Sequence, residues 1–382
     1  MKKILIIFLL LISLSVVAQK KKNRTKTPAD SNTTISLKAE NWDYQHEKVA
    51  FVMHDSRPSM KLSPKGRQVI LKNTSFSNGT IEFDFIPADA RFVSVYFRWQ
   101  DARENECFYF RTHRLRDSTA METVQYAPHI SGVNLWDLLG HFQGNAYFWK
   151  EGWNHVKLVI SGKQFQAYVN DMARPVVEVP RLEGNVSDGT IAFEGESVIS
   201  NLVIKMNDTG NLSPLAGIDL TDHDPRYLRN WQVSKPFETP TNVDFSNDFI
   251  PKPEEIWEPV VSERMGLVNL TRKFGGSVNN KRRLVWLKVN INSKMEQKKK
   301  ISLGFSDEVW VLLNGRYLYV DKNSFGSPIM KEPFGRLSLE NTSFIIPFKE
   351  GKNEILIGVS NDFYGWGIVA RMEDMEGISI IK

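Results

Sequence analysis

The sequence predicts an all-β protein built as two β-sandwich, jelly-roll domains in tandem behind a signal peptide. Three observations predict it. Short segments alternate apolar and polar residues with period two; Asn-Gly, Ser-Gly and Asp-Gly pairs punctuate them; and hardly any stretch repeats with a helical period.

The first residues set the compartment. Met1-Lys2-Lys3 is a positive n-region, Ile4 to Val17 is an almost unbroken apolar run, and Val16-Val17-Ala18 puts small residues just before Gln19. That is the pattern of a secretory signal peptide over 1–18, and it predicts a secreted or periplasmic protein. The run falls short of the roughly 20 residues that span a bilayer, and no later stretch reaches that length, so no transmembrane segment is expected. No cysteine follows the cleavage site, so no lipid anchor is expected there. The single cysteine, Cys107, permits no internal disulfide, and stability has to come from core size.

Charge is informative once divided. The chain carries 49 Lys+Arg against 44 Asp+Glu. Seven of the basic residues (Lys2, Lys3, Lys20, Lys21, Lys22, Arg24 and Lys26) precede Ala29, with no acidic residue among them, which leaves 42 against 44 for the rest. The folded part is therefore not basic, and the phosphate-tracking footprint of a nucleic-acid binder is missing. Residues 19–34 read as a basic, flexible, solvated tail.

Residues 35–206 form the first predicted sandwich. "TIEFDFIP" (80–87) sets Ile81, Phe83 and Phe85 against Glu82 and Asp84, and "FVSVYFRW" (92–99) sets Tyr96 and Arg98 against Phe97 and Trp99. "NHVKLVISG" (154–162), "QFQAYVND" (164–171) and "TIAFEG" (190–195) repeat the pattern, and "VNLWDLLGHF" (133–142) suggests a short helical turn. Residues 207–226, rich in Asn, Asp, Gly and Pro, read as a linker. The second sandwich, 227–382, contains "YLRNWQVSKPF" (227–237), "RLVWLKVNI" (283–291), "KISLGFS" (300–306), "EVWVLLNGRYLY" (308–319), "SFIIPF" (343–348), "NEILIGVSN" (353–361) and "WGIVARME" (366–373). Asn314-Gly315 marks a tight hairpin. Tryptophans divide evenly, five on each side of the linker, so each half can fill a core.

Two resemblances follow from these segments. "NGTIEFDF" (78–85), "VSVYFRW" (93–99), "ECFYFR" (106–111), "ETVQYAPHISGVNLW" (122–136) and "GWNHVKLVISGKQFQAYVND" (152–171), closed by "GTIAFEG" (189–195) and "ISNLVIK" (199–205), resemble the concanavalin-like, laminin-G-like sandwiches of bacterial secreted proteins. "NWQVSKPF" (230–237), "GFSDEVWVLLNGRYLY" (304–319) and "IPFKEGKNEILIGVSNDFYGWGI" (346–368) resemble the galactose-binding-like jelly-roll modules attached to bacterial β-galactosidases. The resemblance implies two jelly rolls in a glycan-use setting, the second an accessory module; it carries over no catalytic residue. Laminin-G-like sandwiches often hold a structural Ca²⁺, and the sequence assigns no oxygens to one here. No other cofactor is implied.

The residues themselves offer several candidate sites. "EFDF" resembles part of the E-x-D-x-x-E strand of laminarinase-type hydrolases, but Pro87 occupies the place of the second glutamate. Glu82 and Asp84 are read as exposed carboxylates on a half-buried strand. The histidines, at 46, 54, 113, 129, 141, 155 and 223, form no zinc-type pair. "TDHDP" (221–225) is read as a polar turn, with carboxylates able to touch calcium as the alternative. Cys107 is read as a buried, inert thiol. The stretch "FRWQDARENECFYFR" (97–111) is the best candidate, because arginine inside a strand is costly unless paired or facing a groove. If neighbouring strands carry them, Tyr96, Arg98, Tyr109, Arg111 and Gln125 converge on one concave face, with Trp136 as a stacking wall. Rigid donors, an amide and aromatic rings suit a polyhydroxylated ligand such as a carbohydrate. A buried structural polar network is the competing account.

Three function classes stand from sequence alone: a non-catalytic, secreted or periplasmic carbohydrate-binding or glycan-associated accessory protein, which leads; a glycoside hydrolase or lyase of unrecognised type using carboxylates such as Glu106 and Glu122; and a structural or adhesion module. Oligomeric state is not legible.

Overall fold

Among the described residues the chain forms five antiparallel sheets, four of them with four or more strands and one a two-stranded pair of His129–Ile130 with Val133–Asn134. The computed structural model describes residues 32–88, 91–114, 120–240, 246–277 and 281–381. The predicted signal peptide lies outside the described residues, as does all of the basic tail up to residue 31. Asn32–Thr34, expected in the tail, is an edge strand that pairs with Ser197–Met206.

Two sheets enclose the first core. One runs in the order Val177–Val179, Gln164–Val169, Asn154–Ser161, Gly79–Pro87, Ser197–Met206, Arg57–Leu62, Val49–His54. The other runs Gln143–Gly144, Val124–Tyr126, Glu106–Arg111, Phe92–Trp99, Thr190–Glu194, Val69–Leu71, Trp42–Asp43. The alternation read in 80–87 holds: Ile81, Phe83 and Phe85 are buried, Phe83 and Phe85 meet Phe193 and Phe110 from the facing sheet, and Phe165 of their own sheet meets Phe97 and Phe108 across the core. Facing apolar rows pack as a β-sandwich core.

The second half repeats the device. Asn230–Val233, Arg283–Ser293, Gly351–Asn361, Glu308–Leu313 and Arg316–Lys322 lie side by side in one sheet, and Leu267–Asn269, Gly367–Met372, Gln297–Ser306 and Thr342–Phe348 form the other. Trp231 and Trp366 sit in the core between them, while Trp286 and Trp310 fill a satellite cluster. The Asn314-Gly315 turn has φ of 52° and 75°, the left-handed pair that a tight hairpin requires. "VNLWDLLGHF" forms a short bridge, Val133–Asn134, and a hydrogen-bonded turn from Leu135 to Leu139 rather than a helix. Among the described residues the α-helix is Leu270–Phe274, capped by Asn269, which has no apolar periodicity to announce it.

From Asn32 onward the chain forms one compact unit. Residues 207–226 are laced down rather than loose. Pro214 O accepts from Lys163 N, Pro180 O from Gly217 N, and Arg264 donates to the carbonyls of Gly217 and Ile218 at 2.7 Å each. The two halves also meet directly, where Leu337 N donates to Asp137 O at 2.9 Å and Arg272 Nη2 donates to Glu183 O at 2.7 Å.

Candidate functional site

Part of the predicted polar set does come together. Strands Glu106–Arg111 and Val124–Tyr126 are paired with Tyr109 opposite Gln125, which brings their side chains side by side. Arg111 Nη2 donates to Tyr109 Oη at 2.9 Å and to Gln125 Oε1 at 2.6 Å; Tyr109 Oη donates to the same Oε1 at 2.9 Å. Gln125 Nε2 donates to Trp136 O at 2.8 Å, and Arg111 Nη1 to Glu122 O at 2.5 Å. Tyr96 joins this face through an apolar cluster with Cys107, Tyr109 and Trp136, and its hydroxyl donates to Glu194 at 2.5 Å. This array is sealed: Gln125 is 0% exposed, and Tyr96, Tyr109, Arg111 and Trp136 are all buried. Burial pushes the Tyr109 phenol up and the Arg111 guanidinium down.

Arg98 does not belong to it, and the expectation of five converging side chains is corrected here. Opposite Thr190 and Ala192 the register slips: Tyr96 pairs with Ala192 but Trp99 with Thr190, so an extra residue sits in the Phe92–Trp99 strand. Arg98 absorbs that bulge with φ 48°, and Trp99, not Arg98, packs against the cluster that holds Tyr96. The Arg98 guanidinium, 2% exposed, turns the other way and binds Ser77 O at 2.7 and 2.8 Å and Gly162 O at 2.8 Å. It ties two predicted turns, Asn78-Gly79 and Ser161-Gly162, to one cation. Period-two counting fails wherever a bulge intervenes.

The other sequence candidates have structural partners. Asp84 accepts from Arg57 at 3.0 Å, His155 at 2.7 Å and Asn201 at 2.6 Å, and Glu82 accepts from Lys205 at 2.8 Å, all on the outer face of the first sheet. Glu106 is wholly buried beneath Gly184, accepts from Tyr126 Oη at 2.6 Å, and is pushed up to about 7 by burial. Among the described residues no arginine donates to it directly, and Arg98 acts on it through space. Glu122 receives Arg114 at 2.7 and 3.1 Å. In "TDHDP", Asp224 is taken by Arg226. Among the described residues no group of three or more His, Cys, Asp or Glu side chains gathers to hold a metal ion. No helix of the described residues is long and apolar enough to cross a membrane.

Space for a ligand lies elsewhere, at the seam between the halves. A cavity of about 520 Å³ is bounded by Leu138–His141 and Glu183 from the first half and by Tyr227, Glu263–Met265, Pro333, Arg336–Glu340 and Arg371 from the second. Leu138, Leu139, Leu267 and Leu337 give it apolar wall, while His141, Glu183, Glu263, Arg336 and Arg371 supply polar groups. Exposed Met265 and Glu340 stand at its rim. Burial raises Glu183, and the nearby Glu263 adds to the effect; Glu263 is itself held by Arg272 at 2.5 Å. Burial holds His141 down at about 4.

Arg336 joins this cavity to the sealed array. It lines the cavity, its stem packs against Gly140, and its guanidinium carbon lies 5.3 Å from the centre of the Trp136 ring. It is 3% exposed, and its Nε and Nη1 have no hydrogen-bond partner. Burial, reinforced by repulsion from Arg111, lowers it to about 10. Sequence reasoning missed Arg336, Glu183, Glu263 and Tyr227. They sit in turns and short connections such as "EPFGR" (332–336), where no periodicity marks a face. An arginine in a turn that also holds Pro333 and Gly335 was the signal available.

No protein-family model and no curated protein matches this chain. Solved structures match part of it. A putative glycosyl hydrolase from Parabacteroides distasonis is 14% identical over 46% of this chain and 100% of that one, with a TM-score of 0.35. The β-glucanase of Bacillus licheniformis is 11% identical over 46% and 98%, at 0.34. A carbohydrate-binding module of Bacillus subtilis is 14% identical over 44% and 92%, at 0.29. Likenesses this partial assign no activity.

Proposed function

We propose that this is a secreted or periplasmic carbohydrate-binding protein without catalytic activity, and that the saccharide sits in the seam cavity. The observation that carries the reading is the lining: leucine wall and the Tyr227 ring beside convergent arginine, histidine and carboxylate groups, in about 520 Å³. Sugars present both apolar ring faces and dense hydroxyls, and a site of this size with a few placed polar groups suits them. Arg98, Gln125 and their neighbours then serve as scaffold, and 207–226 divides the chain into two sandwich domains, 35–206 and 227–382, that share the seam.

A glycan array tests the reading with the mature chain and with Ser302→Phe, which puts a ring into the cavity from the strand Gln297–Ser306. The expected result is saccharide binding that the variant loses while its fold is intact. Binding unchanged in the variant, or no saccharide bound by the mature chain, overturns it.

One observation favours a second, hydrolytic reading. Glu183, buried and holding its proton more tightly than usual, lines the same cavity as Glu263, and a raised acid facing a second carboxylate is the arrangement glycoside hydrolysis uses. Release of reducing sugar that Glu183→Gln abolishes would establish that reading in place of the first.

A further inference from the structure

Among the described residues Arg336 is a buried cation without a counter-anion. Its Nε and Nη1 make no hydrogen bond, and among the described residues no carboxylate forms an ion pair with it. The acids near enough to act through space are engaged. Glu122 is taken by Arg114 at 2.7 Å, and Asp137 accepts from Leu138 N at 3.1 Å and from Ser306 Oγ at 3.3 Å. A second buried guanidinium, Arg111, adds like charge nearby, and the groups Arg111 binds are neutral: Tyr109, Gln125 and the Glu122 carbonyl. A buried, uncompensated charge is strongly unfavourable, so a side chain held this way is waiting for an anion.

The surroundings hold that side chain in place. A Cβ on Gly140 would lie 2.5 Å from Arg336 Cδ, so the glycine is what lets the stem pass, and the Trp136 ring backs the guanidinium. A guanidinium donates charge-assisted hydrogen bonds to a carboxylate or a sulfate. The leucine-walled cavity that Arg336 lines offers far more space than an inorganic anion fills.

We propose that the seam cavity selects acidic saccharides, with the sugar's carboxylate or sulfate as the missing counter-anion of Arg336. This rests on the saccharide reading of the cavity. The test is isothermal titration of the mature chain with uronic-acid and sulfated disaccharides, with their neutral parents, and with inorganic sulfate and acetate. At least tenfold tighter binding of one acidic class over its neutral parent is expected, and the acidic class that binds distinguishes carboxylate from sulfate. Arg336→Met should abolish the preference while thermal stability holds or rises, since the variant removes an unpaired buried charge; Arg336→Lys should keep part of it. A structural arginine would instead lose stability in the methionine variant.

Neutral and acidic saccharides bound equally would overturn the proposal and leave the saccharide reading standing. No saccharide bound at all would overturn both. Inorganic sulfate bound as tightly as any sugar would show a bare anion site and overturn the proposal too.

Discussion

Arg336 from the second sandwich lies over Trp136 from the first, its guanidinium carbon 5.3 Å from the ring centre. Phe325 and Tyr364, also from the second half, close on the same indole at 4.8 and 6.0 Å between ring centres. A residue read from sequence as a wall for a ligand is thus the knob that fastens the two halves. Replacing it, Trp136→Ala, is expected to lower stability by about 3 kcal/mol, the usual scale for truncating a buried aromatic ring. Urea denaturation checks this. An unchanged midpoint would show that the indole contributes nothing to the seam.

Arg98 supplies a second prediction, one that separates scaffold from site. Its guanidinium satisfies two carbonyls in the buried end of the first sandwich, and hydrogen bonds from a charged group to buried acceptors are worth about 1.5–3 kcal/mol each. Arg98→Ala should therefore destabilise the protein by about 3 kcal/mol, yet leave saccharide affinity unchanged at a temperature where the variant is folded. Loss of affinity in the folded variant would return Arg98 to the site.

The seam also carries a pH response. Asp137 and Asp307, one from each half, share Ser306 Oγ at 3.3 and 3.1 Å, and burial pushes Asp307 up to about 7. A carboxyl raised by folding keeps its proton after the unfolded chain has released its own. Stability contributed by Asp307 is therefore full below about pH 4 and is lost as pH rises toward 7. Asp137, raised further by burial and by Asp307, and Glu106, raised to about 7, act in the same direction. His129 and His141, both held at about 4, act oppositely, costing stability as pH falls from 6.5 toward 4. Comparison with Asp307→Asn isolates the carboxyl. Between pH 4 and 7 the native protein should lose on the order of 3 kcal/mol relative to the variant. Parallel stability curves would contradict the account.

Cys107 is wholly buried within the strand Glu106–Arg111, and burial lifts its thiol well above the ordinary range. A thiol reagent should therefore label the native protein no faster than it unfolds, with full labelling in denaturant. Rapid labelling of the folded protein would show that the concave face opens.

Much of the fold was legible because burial of alternate residues is what makes a strand. "TIEFDFIP" gave Gly79–Pro87 within a residue, and Asn314-Gly315 gave its hairpin. The pairing of Tyr109, Arg111 and Gln125 followed from the same alternation. Arg98 failed for a local reason, a bulge set by the opposing strand, which period-two counting does not detect. The seam cavity failed for a global one: Glu183, Glu263 and Arg336 are far apart in sequence and meet only because 207–226 is bound down to both halves. That linker was read as a spacer from its turn residues, and composition does not say that its carbonyls are spoken for.

The central claim is that a saccharide occupies the seam. Hydrogen–deuterium exchange of the mature chain, with and without a saturating uronic-acid trisaccharide, measures it most directly. The account predicts new protection confined to the backbone of 138–141, 263–267 and 333–340. Protection on the outer strands 79–87 and 154–161 instead, or at no segment, would contradict it.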